Sequence, residues 1–122
     1  MALRFVHDGS GISFQTFVDD NHNGVRTADI AAAVDRPIDD PTRLPELFPG
    51  VAIALAPELG RDPVQIGASD LLSFSPLGTA TSGTIYVRGR DGTQLAVRVL
   101  GVTGRTRVLR YVPHTGEWVE SF

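Results

Sequence analysis

The chain alternates apolar and polar residues with a period of two, in short segments cut off from one another by Gly, Pro, Asn and Asp. That pattern belongs to antiparallel strands joined by turns, since helical apolar positions recur every three to four residues. Residues 3–6 (LRFV) and 12–18 (ISFQTFV) flank Asp8, Gly9, Ser10 and Gly11, which predicts an opening hairpin whose turn residues tolerate positive φ. In its second strand Ile12, Phe14 and Thr16 alternate with Ser13, Gln15 and Phe17. The stretch 27–34 (TADIAAAV) predicts about two turns of helix, with Thr27 as N-cap, Asp29 in the first turn and Pro37 stopping it.

Residues 35–50 contain Pro37, Pro41, Pro45 and Pro49, too many for a regular element, so an extended connection is expected, tacked to the core by Leu44, Leu47 and Phe48. Residues 51–56 read as a buried strand, 57–63 as a loop and 71–74 as a short strand. Two hairpins follow. The first joins strand 84–89 to strand 93–102 through Arg90, Asp91 and Gly92, with Gly92 at the left-handed third position of a three-residue loop. This register sets Val87 opposite Leu95 and Ile85 opposite Val97 on a core face, and Arg88 opposite Gln94 and Thr84 opposite Arg98 on a solvent face. The second hairpin turns at Thr103-Gly104 or Thr103-Gly104-Arg105 into strand 106–112, with its register open. The fold expected from this pattern is mainly β, in one domain covering residues 1–122.

Composition narrows the function classes. A content of 42% hydrophobic and 20% charged residues is that of a globular protein. There is no cysteine, which excludes disulfides, thiolate metal sites and thiol nucleophiles. No run approaches the ~20 apolar residues of a membrane span, and the opening MALRFVHD has neither the charged nor the apolar region of a signal peptide. All eleven basic residues are arginine, which a GC-rich gene explains as readily as a need for guanidinium chemistry. The formal charge of −3 conceals an asymmetry: residues 1–80 hold 5 Arg against 11 acids, and residues 81–122 hold 6 Arg against 3 acids. An anion-binding surface is therefore expected in the last third.

His7, His22 and His114 each lie beside a predicted turn without a partner at helix or strand spacing, so no catalytic site is expected. Asp19, Asn21 and Asn23 followed by Gly24 match the first half of a calcium loop, but position 12, where a bidentate acid belongs, is Ile30. An Asx-rich turn accounts for the same residues, and no metal site is expected. Gly104, Arg105, Thr106 and Arg107 form the second candidate. In an extended strand Arg105 and Arg107 fall on one face, where two guanidinium forks hold successive phosphates, with Arg88, Arg98 and Arg110 on neighbouring strands. The competing reading is a solvated face whose arginines discourage edge-to-edge pairing. Tyr111 and Trp118 stand nearby as a stacking platform or as core closure, while Phe5, Phe14, Phe17, Phe48 and Phe74 fall on buried faces or anchor loops.

Three segments, in order, resemble the GspH/FimT family of pseudopilins and minor pilins. Residues 17–26 (FVDDNHNGVR) resemble the family's strand ending in F-V-D-x-N-x-D/N-G-x-R. Residues 74–87 (FSPLGTATSGTIYV) are similar to F-x-P-x-G-x-x-x-x-G-T-I/L-x-V/L, and residues 102–108 (VTGRTRV) to the terminal hairpin with G-R-x-R. The resemblance implies an α+β pilin fold represented by its mainly β head: two small antiparallel sheets packed face to face, with one short helix. It also implies a long apolar N-terminal helix, absent from this chain, that anchors the subunit in the inner membrane and holds the head in the periplasm or at the cell surface. The implied role is structural and not enzymatic: a subunit of a type II secretion pseudopilus or a type IV pilus, with other pilin subunits as partners and neither a cofactor nor a small-molecule substrate. The alternative is a DNA-binding minor pilin for natural transformation, with Gly104, Arg105 and Arg107 matching the glycine-arginine-x-arginine motif. Calcium binding in related pilins invites the same carry-over to Asp19, Asn21 and Asn23. A third class, outside this resemblance, is an extracellular calcium or carbohydrate module.

Overall fold

Strand β1 (Ala2–Asp8) and strand β2 (Gly11–Val18) pair antiparallel from Ala2↔Phe17 to Asp8↔Gly11, giving the opening hairpin that the alternation predicts. The computed structural model describes residues 1–8, 11–18, 36–66, 70–75 and 77–120. The predicted helix 27–34 and the Asp19, Asn21 and Asn23 loop lie outside the described residues. Among those described, the fold is mainly β, in two antiparallel sheets with a single turn of helix.

In the first sheet β1 is flanked by β2 and by β7 (Leu71–Ser73), which pairs Leu3 with Leu72. Two short strands, β3 (Arg36–Pro37) and β4 (Thr42–Arg43), pair with β2 and bring the proline-rich connection along its free edge. Pro37 lies within β3 and Pro41 precedes β4, and proline, which supplies no N–H to a ladder, is at home on such an edge. Helix α1 (Leu44–Leu47) follows, with proline in its first turn. The expected tacking to the core holds only in part: Leu44 is half-buried, but Leu47 and Phe48 are 56% and 58% exposed.

The second sheet runs β11 (Glu117–Glu120), β10 (Arg105–Val112), β9 (Gln94–Leu100), β8 (Gly83–Arg88), β5 (Ala52–Ile53), with β6 (Val64–Gln65) also on the edge of β8. The β8–β9 register is the predicted one at every pair: Val87↔Leu95, Ile85↔Val97, Arg88↔Gln94 and Thr84↔Arg98. Gly92 adopts φ +87°, the left-handed geometry its loop position requires. The stretch 51–56 differs from expectation. The strand with β8 is only Ala52 and Ile53; the Ala54 N–H still donates to the Tyr86 carbonyl at 3.1 Å, and residues 55–56 run on to Pro57 outside any strand. Strands β6 and β11 add pairings that the short, weakly patterned segments 64–65 and 117–120 do not advertise. The second hairpin turns over four residues, 101–104, so β10 begins at Arg105 and pairs it with Leu100.

The sheets share one core. Phe5 and Leu72 from the first meet Val64, Ile85 and Val99 from the second, with Ile66 among them and Leu3, Ile12, Phe14, Ile53, Phe74 and Ala80 packed around. Phe17 is also buried, but on the opposite side of the first sheet, with Ala2 and Leu71. Its place out of phase with Ile12 and Phe14 means that both faces of this sheet carry apolar burial.

Candidate anion-binding face

Alternation along the second sheet puts Ile85, Val97 and Val99 on the core side and Thr84, Tyr86, Arg88, Gln94, Ala96 and Arg98 on the outer side. On β10 the outer positions are Arg105, Arg107, Leu109 and Tyr111. The outer face is not simply solvated. Gln94 is 4% exposed and Ala96 1%. Over Ala96 the rings of Tyr86 and Trp118 meet at 5.6 Å, and Trp118 meets Tyr111 at 5.2 Å, all tilted near 54°. The small side chain of Ala96, opposite Tyr86, leaves room for this contact. Trp118 therefore packs against both Tyr111 and Tyr86 over the sheet, and all three rings remain partly exposed.

The arginines lie further along the same face. Turn 101–104 closes with the Gly104 N–H donating to the Leu100 carbonyl at 2.7 Å. Gly104 takes φ +65°, and a Cβ there would sit 2.9 Å from the Gly78 carbonyl oxygen, so both conformation and space call for glycine. Arg105 and Arg107 then alternate onto the outer face as predicted. Pairing sets Arg107 directly opposite Arg98 and Arg105 opposite Leu100, with Thr84 beyond Arg98. Arg110, one residue out of phase, belongs to the other face. Directly opposed side chains have Cβ atoms about 5 Å apart, so Arg98 and Arg107 repel unless an anion or solvent screens them. All three arginines are exposed, and no carboxylate among the described residues pairs with them. Glu120 stands opposite Leu109, one same-face pair further along. The arrangement is a cationic row suited to bidentate contact with phosphate groups. Gly104, Arg105 and Arg107 were legible as a motif, but Arg98 joins them only through the register of the second hairpin.

Elsewhere among the described residues one histidine lies beside two carboxylates. His7 Nε2 at the end of β1 lies 3.3 Å from Asp70 Oδ2 and 3.9 Å from Asp62 Oδ1, tying the first strand to the loops before β7 and β6. Asp70 holds φ +53°, which aspartate tolerates better than most side chains, and its carbonyl accepts the Phe5 N–H at 3.0 Å. His114 is exposed in the β10–β11 turn, and His22 is outside the described residues. A cleft of about 590 Å³ near the β8–β9 loop is lined by Glu58, Arg88, Asp91, Gln94 and Tyr111, a mixture of signs that offers no preference for an anion. Among the described residues no helix is long and apolar enough to cross a membrane. Comparison of the chain with protein-family models, with curated proteins and with solved structures finds no match.

Proposed function

We propose that this chain is the globular head of a pseudopilin or minor pilin of the GspH/FimT type, a structural subunit of a secretion pseudopilus or a type IV pilus and not an enzyme. The observation that carries the reading is the resemblance of three segments in the family's order, residues 17–26, 74–87 and 102–108. Their described parts occupy coherent places in the fold. Phe17 and Val18 end β2, residues 74–87 lead from the Phe74–Ala80 bridge into β8, and residues 102–108 cross from a turn into β10. A mainly β body of two sheets around one core suits a head carried on a fibre. In such a fibre most association free energy comes from burying the preceding helix among its neighbours, and the head adds contacts of modest area.

The test is the native gene upstream of the Leu3 codon. The expected finding is a prepilin-peptidase site followed by an apolar helix of ~20 residues, placing the head outside the inner membrane. An initiation codon with no such segment overturns the proposal.

A further inference from the structure

Among the described residues, the two most exposed large aliphatic side chains are Leu77, 91% exposed, and Val102, 83%. They are distant in sequence but belong to turns that touch. The site where a Cβ would stand on Gly104 is 2.9 Å from the Gly78 carbonyl oxygen, and the Ala80 N–H donates to the Gly101 carbonyl at 2.8 Å. Both turns carry internal or neighbouring hydrogen bonds. In the first, the Ser75 N–H donates to the Thr79 carbonyl at 2.8 Å, and the Ser75 hydroxyl oxygen accepts from the Leu77 and Thr79 N–H groups, each at 3.2 Å. In the second, the Gly104 N–H is bound to Leu100 and the Gly101 N–H donates to the Ser82 hydroxyl at 2.8 Å. The aliphatic pair is thus presented to solvent on two adjoining, hydrogen-bonded turns. Its neighbour on the outer face, Leu100, is 45% exposed and stands opposite Arg105.

We propose that this double turn, tipped by Leu77 and Val102 and backed by Arg98, Arg105 and Arg107, docks on the surface of a bilayer containing anionic phospholipid. The two halves of the site match the two layers of that surface. Aliphatic tips enter the boundary between headgroups and acyl chains, where their burial is favourable. Arginines set back from the tips reach headgroup phosphates, for which the guanidinium fork is shaped. The charge complements such a surface, since these arginines have no carboxylate partner among the described residues and the last third of the chain holds 6 Arg against 3 acids. A nucleic acid would engage the same arginines but leave Leu77 and Val102 in water. Two aliphatic side chains and a few charges give weak attachment that salt reverses. The inference goes beyond the fibre subunit reading and does not depend on it.

The experiment is co-sedimentation of the chain with vesicles of equal parts phosphatidylglycerol and phosphatidylcholine, and with pure phosphatidylcholine, at low and high salt. A short single-stranded oligonucleotide and a duplex are titrated in parallel. Binding to the anionic vesicles alone, reversed by salt, is expected. Leu77→Ser with Val102→Ser lowers the partition coefficient about tenfold or more, and Arg105→Gln with Arg107→Gln lowers it by about fivefold for each arginine removed. Both pairs are exposed, and an unchanged melting temperature establishes that the variants are folded. The proposal is overturned by absence of binding to the anionic vesicles, or by wild-type binding of the Leu77/Val102 variant. Binding of the oligonucleotides but not the vesicles also overturns it and assigns the arginine row to nucleic acid.

Discussion

Gln94 commits its whole amide to the backbone. Its Nε2 donates to the carbonyls of Ala54 at 2.9 Å and Val87 at 3.0 Å, and its Oε1 accepts the Ala56 N–H at 2.9 Å. It thereby fastens the chain running on from β5 onto the second sheet. Among the described residues it is the buried polar side chain, at 4% exposure. Leucine has a similar volume and would pack, but Gln94→Leu strands a buried donor and acceptor that each cost about 1–3 kcal/mol when left unsatisfied. The expected outcome is a loss of roughly 2–4 kcal/mol in urea unfolding, with hydrogen-exchange protection lost first at Ala54 and Ala56. Alternation alone assigns Gln94 to solvent, because nothing in the neighbouring sequence reveals a loop arriving from forty residues earlier.

The β8–β9 hairpin is the element whose local chemistry is most complete. The Gly89 N–H donates to Thr93 O at 2.8 Å, the Gly92 N–H to Gly89 O at 3.0 Å, and the Thr93 N–H to Asp91 Oδ1 at 3.0 Å. Hydrogen bonds from the Thr93 side chain and then its backbone hold the Asp91 carboxyl below the ordinary aspartate value. A depressed folded-state value means that this carboxylate supports the fold above the unfolded aspartate value and loses that support as pH falls through the folded one. Thermal melting of the wild type should therefore decline in acid more than that of Asp91→Asn, and the difference should be confined to pH at and below the carboxylate range. Parallel melting curves for the two proteins across acid pH would contradict this. The hairpin's register was legible because its loop, its glycine and its alternating strands are all local. The proline-rich segment 36–50 was legible only as irregular, since its pairing with β2 depends on which edge happened to be free.

At the scale of the whole molecule, the two sheets stand or fall together. Ile66 is 1% exposed, follows β6 of the second sheet, and packs in the cluster with Phe5 and Leu72 of the first. Ile66→Ala removes buried methyl groups from the contact between layers and should cost about 2–5 kcal/mol. Because the core is common, unfolding should remain a single transition. Trp118 fluorescence reports on the second sheet and exchange of β1 and β2 amides on the first. Coincident destabilisation of both is expected, and loss of one with the other intact would contradict a shared core.

The sequence by itself determined the mainly β class, the opening hairpin, the β8–β9 register and the same-face placement of Arg105 and Arg107. Each follows from side-chain alternation and turn chemistry within about ten residues. Only the tertiary structure decided that Arg98 faces Arg107, that Tyr86 closes over Ala96 onto Trp118, that a loop makes Gln94 a buried residue, and that the turns of Leu77 and Val102 adjoin. These contacts join segments far apart along the chain. They depend on how strands pair and sheets pack, which local periodicity does not encode.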